Sequence, residues 1–151
     1  MTYNMSALEA AEFGKLGIKV ERGTSNITTG LDLFTVSVGN CYVNLFVGEV
    51  TTDIENKSVN MTIISTPSTG TYSDIGGVLA IDDDDEGTLY TVEGDGTTIL
   101  ESDGGMIQGH LVPFIVAPGV IEATISATHS GSIKFTLWYV PLEDGAKIVA
   151  A

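Results

Sequence analysis

The chain has 151 residues, 43% of them hydrophobic, enough for one compact domain that buries about 70% of the surface its unfolded form exposes. Twenty acidic residues against six basic ones set the formal net charge at −14, and Arg22 is the single arginine. That balance excludes a nucleic-acid binder, which must bring Lys and Arg to the phosphates, and it disfavours bidentate recognition of phosphate or carboxylate.

Met1 to Met5 lacks the basic start and apolar core of a signal peptide, and no apolar run approaches the roughly 20 residues of a membrane span. The expectation is a protein used without export and without a membrane. Ser6-Ala7-Leu8-Glu9 then fits a capping box, and Ala7 to Phe13 offers helix formers before Gly14 stops them. The spacing predicts a short N-terminal helix or arm over 1–14, ahead of a single β domain over 15–151. Two helical turns are marginal alone, so the arm is either a frayed terminus or a segment that orders on a partner or neighbouring subunit.

From Lys15 the period becomes two, with Leu16, Ile18 and Val20 on one face and Lys15, Lys19 and Glu21 on the other. Lys15, Lys19 and Arg22 concentrate half of the basic residues in this segment. Further strands are expected at Leu31 to Val38, Cys41 to Val47, Ser58 to Ser65, Val78 to Ile81, Thr88 to Glu93, Thr97 to Leu100, Leu111 to Ala117, Val120 to His129 and Ser132 to Val140. Gly39-Asn40, Pro67-Ser68-Thr69-Gly70, Gly94-Asp95-Gly96 and Pro118-Gly119 punctuate them. Short strands at this spacing predict an all-β fold, a jelly roll or β-sandwich.

Cys41 alternates with Val43, Leu45 and Val47 and reads as a small buried hydrophobe. Pro113 removes a ladder donor, so the strand around it is expected at an edge or with a bulge. Ile121, Ala123 and Ile125 alternate cleanly, and Ile133, Phe135, Leu137 and Tyr139 are expected to answer them across a hairpin at His129 to Ser132. Trp138 falls on the opposite face with Thr136 and Val140, and an apolar group there implies a two-sided core, a sugar platform or a subunit interface, the last being favoured.

Between Lys57 and Lys134 stand eleven acids and no Lys or Arg, five of the acids consecutive from Asp82 to Glu86. Asp82, Asp84, Glu86, Gly87 and Glu93 occupy positions 1, 3, 5, 6 and 12 of an EF-hand-type loop, where alternate carboxylates around a Gly turn supply oxygen ligands to calcium. Strand-like flanks where an EF-hand needs helices favour a solvated acidic loop instead. His110 and His129 are too few and too separated for a cupin-type metal site. Ser130 beside His129 lies in a hairpin loop, not a strained nucleophile turn, and Gly94-Asp95-Gly96-Thr97 lacks the Lys and helix of a phosphate loop. The expectation is a protein that is not an enzyme and has no cofactor, calcium excepted.

The run from Gly131 to Leu142, the preceding Pro113 to Ile121 and the Ala-rich N-terminal lead-in resemble small head-decoration, or cement, proteins of tailed bacteriophages. The resemblance implies a jelly-roll or sandwich module, often trimeric, that bridges capsid subunits from outside. It places the protein on the virion surface after assembly in the host cytoplasm, with the major capsid protein and further copies of itself as partners. Leu8, Phe13, Lys15, Lys19 and Arg22 are then expected at capsid contacts, and Trp138 and Val140 at subunit contacts. The alternative is a carbohydrate-binding or adhesive β-sandwich, with or without calcium.

Overall fold

A computed structural model describes residues 16–25, 28–109 and 112–151. The arm expected over 1–14 and Lys15 lie outside the described residues, as does His110. The described chain holds eleven strands and no helix: β1 (Ile18–Gly23), β2 (Leu31–Ser37), β3 (Cys41–Thr52), β4 (Asn60–Pro67), β5 (Ser73–Ala80), β6 (Leu89–Val92), β7 (Ile99–Ser102), β8 (Phe114–Val116), β9 (Gly119–Ile125), β10 (Ser132–Pro141) and β11 (Lys147–Ala150).

They form two antiparallel sheets. The first runs β1-β10-β3-β6-β7, with β8 on the start of β3; the second runs β11-β2-β9-β4-β5. The pairs β1/β10, β2/β9, β3/β6 and β4/β5 are nested, each antiparallel and alternating between sheets. A long double strand rolled on itself yields this order, which is the winding of a jelly roll.

Period-two alternation decides which faces meet. Ile133, Phe135, Leu137 and Tyr139 of β10 are buried, as are Ile121, Ala123 and Ile125 of β9. Phe34 of the second sheet meets Phe46 of the first edge-on at 6.3 Å between centroids, and Phe46 lies 5.8 Å from Phe135. Gly48 makes room for this cluster, since a β-carbon there would stand 3.1 Å from the Tyr90 ring and 3.2 Å from Phe135. Cys41 is fully buried on the same inward face, and burial pushes its thiol pKa up.

The expected hairpin between β9 and β10 does not form. β9 pairs with β2 and β4, and β10 with β1 and β3. The two apolar faces meet across the core rather than side by side, because alternation fixes the buried face of a strand and not its neighbour. The connection through His129 and Gly131 therefore crosses between sheets. The strand expected from Leu111 begins only at Phe114, after Pro113, and pairs on one side with β3. β5 starts at Ser73, five residues before the expected Val78, and β11 has no counterpart among the sequence expectations.

Candidate functional site

Register assigns every loop to one of two ends of the sandwich. Ile18 pairs with Tyr139 and Tyr139 with Val43, while Val36 pairs with Gly119 and Gly119 with Pro67. One end thus gathers the start of β1, the turn at 38–40, the 68–72 loop, β8 and the 142–146 loop. Exposed large apolar side chains concentrate there: Ile18, Val38, Tyr72 and Val112, then Ile115, Val140 and Leu142. Val78, Met106 and Val149 are the exposed large apolar residues elsewhere among those described. The opposite end carries the 52–59, 81–88 and 126–131 loops, with Asp53, Glu55 and the Asp82–Glu86 run.

Val38 is the sharpest feature of the apolar end. It is 68% exposed and held at φ 74°, a left-handed conformation that a β-branched residue rarely accepts. Its surroundings fix it: the Asn40 amide donates to Glu143 Oε1 at 3.0 Å, and the Leu142 amide donates to the Asn40 carbonyl at 3.0 Å. The turn between β2 and β3 is thereby tied to the one after β10, and Val38 Cγ1 faces Gly145, 3.5 Å from where a β-carbon there would stand.

Next to this end lies the outer face of the first sheet. Trp138 points outward from β10, half-buried, with Lys19 of β1 5.8 Å from its ring centroid. Leu45 of β3 is its cross-strand neighbour. Two ion pairs rim the patch, Lys19 to Glu21 at 3.0 Å and Lys134 to Glu49 at 3.1 Å; the hydrogen bond from Lys19 holds the Glu21 carboxyl below its ordinary pKa. Trp138 Nε1 is shielded from solvent and has no hydrogen-bond partner among the described residues, an arrangement that costs about 1–3 kcal/mol unless an acceptor arrives.

Of the residues expected at capsid and subunit contacts, the structure brings Lys19, Trp138 and Val140 to neighbouring positions on this face. Arg22 is separate: its Nε donates to the Ala151 carbonyl at 3.2 Å and its Nη1 to the Gly23 carbonyl at 2.9 Å, tying β1 to the C-terminal residue. Leu8, Phe13 and Lys15 lie outside the described residues. The chain leading to them is placed, however, because Asn44 Nδ2 donates to the Leu16 carbonyl at 2.9 Å. Leu16 therefore enters at the apolar end, over the β3–β10 face.

The acidic loop is organised by its own backbone. The Glu86 amide donates to Asp53 Oδ1 at 2.7 Å, and the Ile54 amide to the Asp84 carbonyl at 2.9 Å. Asp84 turns inward and accepts the buried Tyr90 hydroxyl. Burial raises the Asp84 pKa, opposed by the Tyr90 hydrogen bond and reinforced by Asp82, Asp83 and Asp85; burial also raises that of Glu101, reinforced by Asp84 and Asp103. Burial, then the bond to Asp84, raises Tyr90 as well.

Asp82, Asp84, Glu86 and Glu93 are not brought together. Glu93 stands past the far end of β6, an extended strand of four residues that covers about 13 Å at the usual rise. An EF-hand loop would fold back over that spacing, whereas here it is spent on a ladder. Among the described residues no group of three or more His, Cys, Asp or Glu is placed to hold a metal ion. His129 is buried, its Nδ1 3.1 Å from the Ala127 carbonyl, and the Ser130 amide donates to Glu55 Oε1 at 3.1 Å.

No protein family, curated protein or solved structure matches the chain.

Proposed function

We propose that the protein is a virion structural protein that decorates the outer capsid surface and stabilises it by bridging capsid subunits. The observation that carries this reading is the two-ended surface, apolar around Val38, Ile115 and Leu142 and acidic around Asp82 to Glu86. A shell-binding module has a use for that asymmetry. Apolar side chains lose water against the shell, at about 25 cal/mol per Å² buried, while the acidic end faces solvent and keeps neighbouring copies apart.

Leu16 lies at the apolar end, held by Asn44, and an arm over residues 1–14 would reach from there toward the major capsid protein. Trp138, whose Nε1 has no hydrogen-bond partner among the described residues, stands with Lys19 and Val140 and suits a contact between copies, a trimer being the state the resemblance implies. Attachment is additive: many modest contacts repeated over a lattice oppose its expansion.

Cosedimentation of the purified protein with capsids of the same virus, stripped of it, tests the reading. Val38→Asp with Leu142→Asp should lose attachment while keeping the native circular dichroism, and deletion of 1–14 should do the same. Full occupancy by the double variant would refute the assigned end; no cosedimentation of the unaltered protein would refute the function.

A further inference from the structure

A cleft of about 250 Å³ opens at the apolar end, between the two sheets. Ser65, Thr71, Ser73 and Asp74 line it from β4, β5 and their connection; Phe114 and Ile115 of β8 line it from the other sheet, and the Gly94–Gly96 turn closes one side.

The walls are preformed. A β-carbon at Gly77 would collide with the Thr97 carbonyl oxygen, and one at Gly94 with the carbonyl oxygen of Val112, so both glycines serve close backbone approach. The turn from Gly94 to Thr98 is locked by Asp95, which accepts the amides of Thr97 at 2.9 Å and Thr98 at 3.0 Å and the Thr97 hydroxyl at 2.6 Å. Those bonds hold the Asp95 pKa down to about 2. Asp95 is thus committed to the turn. Asp74 and the hydroxyls of Ser65, Thr71 and Ser73 make no hydrogen bond to another described residue.

The composition of the lining selects a ligand. An ionised carboxylate accepts from two adjacent hydroxyls, and three Ser and Thr hydroxyls can each donate or accept. Phe114, turned inward from β8, offers an apolar wall for C–H groups. No Lys, Arg or His lines the cleft, so an anion would meet Asp74 uncompensated. The volume accommodates roughly 180 Å³ of ligand, about six waters' share of liquid volume, with room to spare. A few convergent polar groups over an apolar wall in a preformed cleft is the usual build of a small-molecule site.

We propose that this cleft binds one ring of a neutral saccharide, with Asp74 accepting from a vicinal diol and Phe114 against the ring's C–H face. The site shares Ile115 and the apolar end with the surface assigned to the shell, so it is open to a ligand in the free protein and is tested there.

Amide-resolved NMR titration of the full chain with the methyl glycosides of glucose, galactose, mannose and N-acetylglucosamine tests it, run to about 50 mM because so few contacts imply millimolar affinity. At least one sugar should shift the amides of Ser73, Asp74, Gly94 and Gly96. Asp74→Asn should weaken that binding about tenfold, the loss expected for a charged acceptor, with the thermal midpoint unchanged because Asp74 is exposed. Ser73→Ala should weaken it less, and supplies the same test should Asp74→Asn unfold. Methyl glucuronide should bind worse than methyl glucoside. Absence of cleft shifts with all four sugars, shifts confined to the Trp138 face, or undiminished binding of the glucuronide would overturn the proposal.

Discussion

At single residues, two positions set apart what folding requires from what a surface contact requires. Val38 is strained and exposed at once, so its side chain contributes little to the folded state that holds it at φ 74°. Val38→Asn, a residue that tolerates left-handed backbone, should stabilise the domain by about 1 kcal/mol while weakening attachment; a lowered thermal midpoint would show that Val38 is packed in a way its exposure conceals. Asp95 behaves oppositely. Its folded pKa, about 2, lies below its ordinary 3.8, so its contribution to stability is present above the ordinary value and is lost as pH falls through the folded one. Asp95→Asn should therefore lower the melting temperature at pH 7, and the gap to the parent protein should close between about pH 4 and pH 2. A gap independent of pH would mean that the side chain acts sterically and not through its charge. The first of these residues was not legible in the sequence, since Val38 reads there as the end of a strand; the second was legible only as a turn.

At the level of strands, β10 is the element most fully written in the sequence. Ile133, Phe135, Leu137 and Tyr139 alternate, and all four are buried. Phe135 touches both Phe46 and the backbone at Gly48, so Phe135→Ala should cost about 3–5 kcal/mol, measured by chemical denaturation; a loss under 1 kcal/mol would mean that the core closes over the gap. What alternation leaves out is the partner. The same pattern in β9 suggested a hairpin with β10, whereas the ladder bonds of the two strands go to different sheets. The expected strand begins at Val78, after the paired glycines, yet Gly76 and Gly77 lie within β5 and let it approach Thr97 and Ile99. β11 is too short for any periodicity to register, and it is fixed instead by its pairing of Ile148 with Val36. Trp138 is legible as an outward aromatic. The apolar end is not, because Val38, Tyr72, Ile115 and Leu142 come from segments far apart in the chain and become neighbours only through the roll.

For the whole molecule, the charge balance predicts how stability responds to acid. With a formal net charge of −14, the folded state confines acids that the unfolded chain separates, and five of them share one loop. Asp84 and Glu101 have pKa values raised by burial and by neighbouring carboxylates. A group whose carboxyl is harder to ionise in the folded state binds more protons there than in the unfolded chain, so stability falls as pH rises through its titration. Lowering the pH from 7 toward the carboxylate range should thus raise the melting temperature, until the opposite contribution of Asp95 is lost below about pH 4. Added salt should raise the melting temperature at pH 7 and do less at pH 5, because screening and protonation relieve the same repulsion. Asp84→Asn keeps an acceptor for the Tyr90 hydroxyl and removes the charge, and combined with Glu101→Gln it should flatten the rise between pH 7 and pH 5. Calorimetric scans across that range decide the matter: a melting temperature that falls steadily on acidification, in parent and double variant alike, would show that the acidic end is relaxed as folded and that its charge does not oppose folding.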